Sequence, residues 1–172
     1  SAQVKLTNLI IRGNSNSGTG GGAIRAGDGS LTLTNSKIYN NSAKYGGAIL
    51  IDNAAVEIKN VLIYENNASQ SLSYDGPKGA GISCVNSSRE ISLTNVTIAD
   101  NVGNGGGSGI EIWYGISGTP PDINVKNCIL YNNSPQEVYN NQGSINISYS
   151  DIKGGYTGTG NINSDPFFVN AS

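Results

Sequence analysis

The chain has 172 residues, a net charge of -2 and no histidine, and only 13% of its residues are charged. We predict that nucleic acid is not a partner, because no basic stripe exists that could displace counterions from phosphates. We also predict no direct membrane insertion, because no apolar run approaches the roughly 18 residues of a spanning helix. The length predicts a single domain over residues 1–172, either with open ends or as part of a longer array.

One eleven-residue phrase occurs six times along the chain. It reads apolar, any, apolar, any, Asn, then has an aliphatic residue at the eighth position and usually Asn at the eleventh. The starts are 27, 25, 35, 32 and 22 residues apart, and they are Val4, Leu31, Val56, Ile91, Ile123 and Ile145. A repeat that keeps its register while the spacer changes length predicts a coil of constant cross-section with loops inserted at a corner.

The second copy shows how one phrase builds part of a turn. Leu31 and Leu33 alternate with threonines, which predicts a short strand with one buried face. Asn35 follows and suits a sharp bend, because Asn tolerates left-handed backbone angles. A second strand continues from there, with Ile38 pointing inward and Tyr39 outward.

A third strand is predicted from a phrase rich in small residues that recurs between the longer ones. Its small residues let the chain turn and let neighbouring turns approach closely. The fifth and sixth turns lack a clean copy, which predicts an irregular far end. The four copies are Gly21-Gly22-Ala23-Ile24, Gly46-Gly47-Ala48-Ile49, Gly79-Ala80-Gly81-Ile82 and Gly107-Ser108-Gly109-Ile110.

Stacking the turns places each residue of the phrase above its own copy in the next turn. Three interior columns are expected, headed by Val4, Leu6 and Ile11. The fifth position is expected to form a buried ladder of amides that satisfy one another. We interpret its asparagines as structural, not as ligands, and they are Asn8, Asn35, Asn60, Asn95 and Asn127, with Tyr149 in the last turn.

The Asn-corner strand pairs and the Gly-Gly-Ala-Ile phrases together resemble the repeats of right-handed parallel β-helix proteins. The likeness is to secreted and surface proteins of the polymorphic outer-membrane and adhesin type. The C-terminal stretch, Tyr149–Gly155 followed by Thr159–Val169, is similar to the last coil of choice-of-anchor β-helix proteins. The resemblance implies an all-β right-handed parallel β-helix of about six turns, with three short strands per turn, secreted or displayed at the cell surface.

Enzymes of this fold class cut polysaccharides with carboxylates clustered on adjacent turns, and for glycoside hydrolysis the pair lies roughly 5–9.5 Å apart. The outward columns of the first strand bring only Glu57 and Lys59 onto one face, and such a pair is usually a solvated ion pair. The acidic loop residues are explained by turn chemistry. We therefore predict a non-catalytic protein, with no catalytic residue, no metal and no cofactor.

Cys84 and Cys128 lie in the third and fifth turns. Two turns separate them by about 9.6 Å along the axis alone. This exceeds the roughly 7 Å limit between the Cα atoms of a disulfide. We predict two buried free thiols.

Aromatic residues at outward positions are the candidate binding residues. Tyr39, Tyr64 and Tyr131 share one outward column, where they would stack on sugar rings or another protein, or simply reflect the preference of tyrosine for exposed strands. Trp113 and Tyr114 begin an insertion that runs to Asp122. They either anchor an interface or roof over the side of the coil.

These observations predict an extracellular structural or adhesive β-helix. No capping helix precedes the first phrase, and open strand edges favour head-to-tail stacking into a filament or surface matrix. The expected partners are further copies of the chain, other surface proteins or glycans. The alternative is a β-helix that binds or degrades polysaccharides.

Overall fold

The computed structural model describes residues 2–18, 20–69, 79–104, 106–113 and 119–169. Within these ranges the chain contains strands, turns and bends but no helix, so no helix there is long and apolar enough to cross a membrane. The architecture is a right-handed parallel β-helix, which agrees with the coil predicted from the repeat and with the fold that the resemblance implies. Every strand pairing is parallel and joins neighbouring turns.

The described ranges form strands that are numbered here in chain order. They are β1 (Gln3–Thr7), β2 (Ile10–Arg12), β3 (Ser15–Asn16), β4 (Ile24–Gly27), β5 (Ser30–Tyr39), β6 (Ser42–Ala43), β7 (Ile49–Asp52), β8 (Ala55–Tyr64), β9 (Asn67–Ala68), β10 (Ile82–Val85), β11 (Glu90–Ala99), β12 (Val102–Gly103), β13 (Ile110–Trp113), β14 (Asp122–Lys126), β15 (Ile129–Tyr131), β16 (Val138–Asn141), β17 (Ser144–Ser148) and β18 (Asp151–Ile152).

These strands form three sheets that run along the axis of the coil. The first sheet carries both halves of the eleven-residue phrase, in the order β1-β5-β8-β11-β14-β17, with β2, β15 and β18 beside them. The third-strand phrases form a second sheet, β16-β13-β10-β7-β4. A small third sheet, β12-β9-β6-β3, follows the second corner of the first four turns and was not anticipated from the sequence.

The interior columns form in the predicted register. Val4 pairs with Leu31 and Leu31 with Val56, and the same column continues to Ile145. The column that starts at Ile11 passes through Ile38 and Ile63, both fully buried. Burying stacked aliphatic side chains is the main favourable term in folding, so these columns hold the coil together.

The first corner is a bend within a strand and not a break between strands. Strands β5, β8 and β11 each continue through the corner asparagine, although Asn35 has φ 51° and Asn60 has φ 55°. Asn60 donates to Oδ1 of Asn35 at 3.2 Å, and Asn95 donates to Oδ1 of Asn60 at 3.1 Å. All five corner asparagines are exposed, so the expectation of a buried ladder at this corner is wrong.

The buried asparagine ladder lies at the second corner, at the eleventh position of the phrase. Each side-chain amide donates to Oδ1 of the asparagine in the next turn, at 2.8–3.0 Å between Asn41, Asn66, Asn101 and Asn133. The same oxygens also accept the backbone N–H groups of the preceding asparagines. Asn14 begins this ladder from the first turn.

The ladder ends on a carboxylate. Asn133 donates its side-chain amide to Oε2 of Glu137 at 2.5 Å and its backbone N–H to Oε1 at 3.2 Å. Glu137 is 8% exposed. The equivalent residue of the last turn is Gly155, so no sixth asparagine is present to accept the two N–H donors of Asn133. The Glu137 carboxylate accepts both of them instead.

The fifth turn has a complete third strand, contrary to the expected irregular end. Strand β16 pairs with β13 in the same register, with Val138 opposite Ile110. The preceding residues are Gln136 and Glu137 instead of glycine and alanine, so the sequence pattern hides this strand. In the second turn the small residue is required, because a Cβ on Gly47 would lie 2.5 Å from the backbone oxygen of Asn67.

The two ends of the coil differ. At the first turn, β1 pairs only with β5 among the described residues, and Val4 is 46% exposed. At the last turn, the chain continues past β18 and lies parallel to it, with a bridge between Asp151 and Ile162. Asn161 donates to the oxygen of Ile147 at 3.0 Å, and the N–H of Ile152 donates to the oxygen of Ile162 at 3.0 Å. Residues 156–164 therefore cover much of the last turn.

Candidate functional site

An outward column of aromatic and basic residues runs along the first sheet; it is called the tyrosine column and consists of Arg12, Tyr39, Tyr64, Ala99, Tyr131 and Lys153. Strand register places the rings of Tyr39 and Tyr64 in adjacent turns. Their centroids lie 4.8 Å apart with 11° between the planes, so the rings are stacked. The guanidinium of Arg12 lies 5.9 Å from the Tyr39 centroid, within cation–π range.

The other end of the column repeats this chemistry. The ammonium group of Lys153 lies 5.2 Å from the ring centroid of Tyr131, and Phe168 meets the same ring edge-on at 6.1 Å. Ala99 separates Tyr64 from Tyr131 and is 5% exposed. The structure therefore brings Tyr39 and Tyr64 into one stack and leaves Tyr131 in a second cluster with Phe168, which the sequence did not predict.

The electrostatics of the stack follow from its packing. Burial raises the pKa of the Tyr64 hydroxyl, and the neighbouring Tyr39 and Glu65 raise it further, while Arg12 opposes them. The hydroxyl therefore stays protonated at neutral pH, since an unperturbed tyrosine already titrates near pH 10. The column offers neutral rings and hydroxyl groups between two cations.

Trp113 lies at the end of strand β13 and not on a projecting loop, where the sequence placed it. Its backbone pairs with Val85 in the preceding turn and with Asn141 in the following one. The indole lines a cleft on the outer face of the second sheet together with Tyr45 and Leu50. Tyr114, the other aromatic residue predicted here, falls outside the described residues.

The outer face of the first sheet carries the pair predicted from the sequence. Nζ of Lys59 lies 2.5 Å from Oε1 of Glu57, and both side chains are about half exposed. A shallow depression beside them is lined by both Glu57 and Glu90. The sequence reading missed Glu90, because it precedes the eleven-residue phrase of its turn by one position and was not placed in a column.

Both cysteines are buried and free, as predicted. Burial raises the pKa of the Cys128 thiol to about 11, and burial also raises that of Cys84 well above its ordinary value. Both therefore remain thiols at neutral pH and act as small core residues. Across the described ranges, no group of three or more His, Cys, Asp or Glu side chains is arranged to hold a metal ion.

No protein-family model, curated protein or solved structure matches the chain. The functional interpretation therefore depends on the geometry of this chain. The residues that the structure adds to the sequence reading are Glu90, Phe168 and Tyr45. Each comes close to a predicted residue only through the stacking of turns, and no pattern within a single repeat could have revealed it.

Proposed function

We propose that the protein is a non-catalytic structural and adhesive rod that acts outside the cell. The observation that carries this proposal is the tyrosine column on a coil with a regular core. Stacking fixes the rings of Tyr39 and Tyr64 before a partner arrives, so binding costs little side-chain entropy. The resemblance of the repeats to those of secreted and surface β-helix proteins supports the extracellular placement.

The chemistry of the column favours glycans and protein surfaces as partners. Tyrosine combines a large apolar face with a hydroxyl group, and rings of this kind are enriched in interfaces. Arg12 and Lys153 add donors for hydroxyl or carboxylate groups at either end. An elongated ligand that follows the axis would contact several turns at once.

A glycan array probed with labelled protein tests this proposal. We expect retention of the wild type on a subset of glycans and a loss of at least tenfold for the double variant Tyr39→Ala/Tyr64→Ala. Tyr149→Ala is the matched control, because Tyr149 is exposed and lies outside the column. Unchanged retention of the double variant would show that the tyrosine column does not bind the glycans.

End-to-end association is part of the same proposal. The first turn presents an apolar opening lined by Val4, Leu6 and Ile24, beside a strand edge without a partner in the described chain. The opposite end presents Phe167 and Val169, which are 81% and 92% exposed. Contact between unlike ends of successive copies would not close and would produce a filament.

The second candidate function is binding or degradation of a polysaccharide along the first sheet. It is favoured by the depression that Glu57 and Glu90 share, because paired carboxylates are the requirement for glycoside hydrolysis. Incubation with soluble polysaccharides and measurement of released reducing ends tests it. Turnover that disappears in Glu57→Gln and Glu90→Gln would establish this function, whereas the rod proposal expects no turnover in the wild type.

A further inference from the structure

A second surface with binding chemistry lies on a different side of the coil from the tyrosine column. This Trp113 cleft is formed on the outer face of the second sheet by residues of four successive turns and has a volume of 220 Å³. It is smaller than the roughly 300–1,000 Å³ pockets that enclose drug-sized ligands, so it suits one ring-sized group. The residues that line it include Arg25, Tyr45, Leu50, Asp52, Val85 and Trp113.

The floor and walls of the cleft are apolar and aromatic. Leu50 and Val85 are 3% and 7% exposed and belong to adjacent strands, β7 and β10. Trp113 is half-buried at the end of β13, next to Val85 in the register. Tyr45 approaches from the segment that precedes β7. Aromatic rings in such a position pack against the apolar C–H face of a sugar ring.

The rim of the cleft is polar but has no net charge. Nη2 of Arg25 lies 2.8 Å from Oδ2 of Asp52, and the two side chains are 56% and 33% exposed. Both groups keep further donor and acceptor sites that face solvent, since a guanidinium has five N–H donors and a carboxylate accepts about four hydrogen bonds. An anionic ligand bound to Arg25 would also lie close to the Asp52 carboxylate, which repels it, whereas neutral hydroxyl groups can bond to both partners without such repulsion.

We propose that the Trp113 cleft binds one neutral pyranose unit of a glycan. The indole of Trp113 and the phenol of Tyr45 provide the stacking surface. Arg25 donates hydrogen bonds to the hydroxyl groups of the sugar, and Asp52 accepts hydrogen bonds from them. This assignment goes beyond the proposed adhesive column, because the cleft lies on another sheet and shares no residue with it. The two sites can therefore fail or succeed separately.

Trp113 allows a direct test, because it is the only tryptophan of the chain. Titration of the protein with neutral gluco-, manno- and galacto-configured trisaccharides is followed by tryptophan fluorescence and by calorimetry. We expect a saturable change in emission with at least one trisaccharide. The same titration with a uronic acid trisaccharide is expected to show binding at least tenfold weaker.

Variants locate the binding within the cleft. Arg25→Ala removes an exposed rim group and leaves the core intact, and Tyr45→Ala removes one aromatic wall; we expect each to weaken binding at least tenfold. Tyr149→Ala removes an exposed ring that belongs to neither the cleft nor the tyrosine column, so it is the control and should leave the titration unchanged. No saturable signal by either method, equal affinity in the Arg25→Ala variant, or tighter binding of the uronic acid overturns the proposal.

Discussion

Asparagine has two different roles in this coil, and they are separated by backbone conformation. At the first corner Asn60 is exposed and has φ 55°, a left-handed conformation that costs most residues roughly 1–2 kcal/mol. At the second corner Asn66 is 1% exposed, and its side-chain amide and backbone N–H together take part in six hydrogen bonds. The first corner therefore requires a residue that tolerates a positive φ, and the second corner requires a side chain that can both donate and accept hydrogen bonds.

Substitution of one asparagine from each corner separates these roles. We expect Asn66→Ala to lower the free energy of unfolding by on the order of 3 kcal/mol, because it removes five hydrogen bonds of the Asn66 side chain and takes the acceptor from the backbone N–H of Asn41. Asn60→Gly keeps the left-handed backbone and should change stability by less than about 0.5 kcal/mol. Denaturant unfolding measures both, and equal losses would contradict the assignment of the ladder.

Glu137 makes the stability of the rod depend on pH. Burial raises the pKa of its carboxyl group, against the opposing effect of donation by Asn133. Because the folded state then holds the proton more tightly than the unfolded chain, protonation favours folding. The contribution is complete below the unfolded carboxyl pKa and is lost as pH rises through the higher folded value.

Glu137→Gln tests this sign, because its amide keeps the shape and does not titrate. We expect the wild type to gain stability relative to this variant as pH falls from 7 to about 4. Denaturant unfolding at several pH values measures the difference. Glu90→Gln, which alters an exposed carboxyl, should keep the pH profile of the wild type. A wild type that instead lost stability relative to Glu137→Gln on acidification would show that the carboxylate form is the one favoured by folding.

At the scale of elements, the close approach of neighbouring turns determines which positions can hold a residue larger than glycine. Gly47 precedes strand β7, and a Cβ there would lie 2.5 Å from the oxygen of Asn67 and 2.7 Å from that of Ala80. Gly13 lies at the opposite extreme, with φ 68° and open space for 4 Å around the point where a Cβ would lie. Its counterpart in the next turn is Asn40, with φ 53°.

Two glycine substitutions follow from this contrast. We expect Gly47→Ala to destabilise the protein by about 1–3 kcal/mol, because backbone atoms of the next turn must move to admit the methyl group. Gly13→Asn should be neutral within about 0.5 kcal/mol, since Asn already occupies the equivalent left-handed position elsewhere. Thermal unfolding of the two variants provides the comparison. A neutral Gly47→Ala would mean that the turns can separate without cost.

At the scale of the whole molecule, the two ends of the described chain differ, because the first turn has an open strand edge and the last turn is covered. The apolar opening near Val4 faces solvent, and parallel strand edges without partners are templates for further pairing. The last turn has its own covering segment, held by Asn161 and by the bridge from Asp151 to Ile162. If copies associate end to end as proposed, the exposed residues beyond that segment, Phe167 and Val169, would form the contact at this end.

Sedimentation across a range of concentrations, with electron microscopy, tests this association. We expect concentration-dependent assembly of the wild type and its loss in Val4→Asp, which places a charge at the apolar opening. Phe167→Asn should also reduce assembly without harming the fold, because Phe167 is exposed and has φ 48°, which Asn tolerates. Tyr149→Ala is the control for removal of an exposed ring. A wild type that stays monomeric at every concentration would rule out the filament.

The amino-acid sequence by itself determined the coil, its interior columns and the outward position of the tyrosines, because alternation along a strand and repetition between turns are visible in the order of residues. Only the tertiary structure decided which asparagine column is buried, that Glu137 ends it, and that Arg25, Tyr45 and Trp113 share one cleft. Apart from the contact of Glu137 with Asn133 within one turn, these contacts join different turns through spacers of unequal length. Which side chains are buried, and which residues of different turns come into contact, depends on how those spacers pack. The repeat pattern in the sequence does not show that packing.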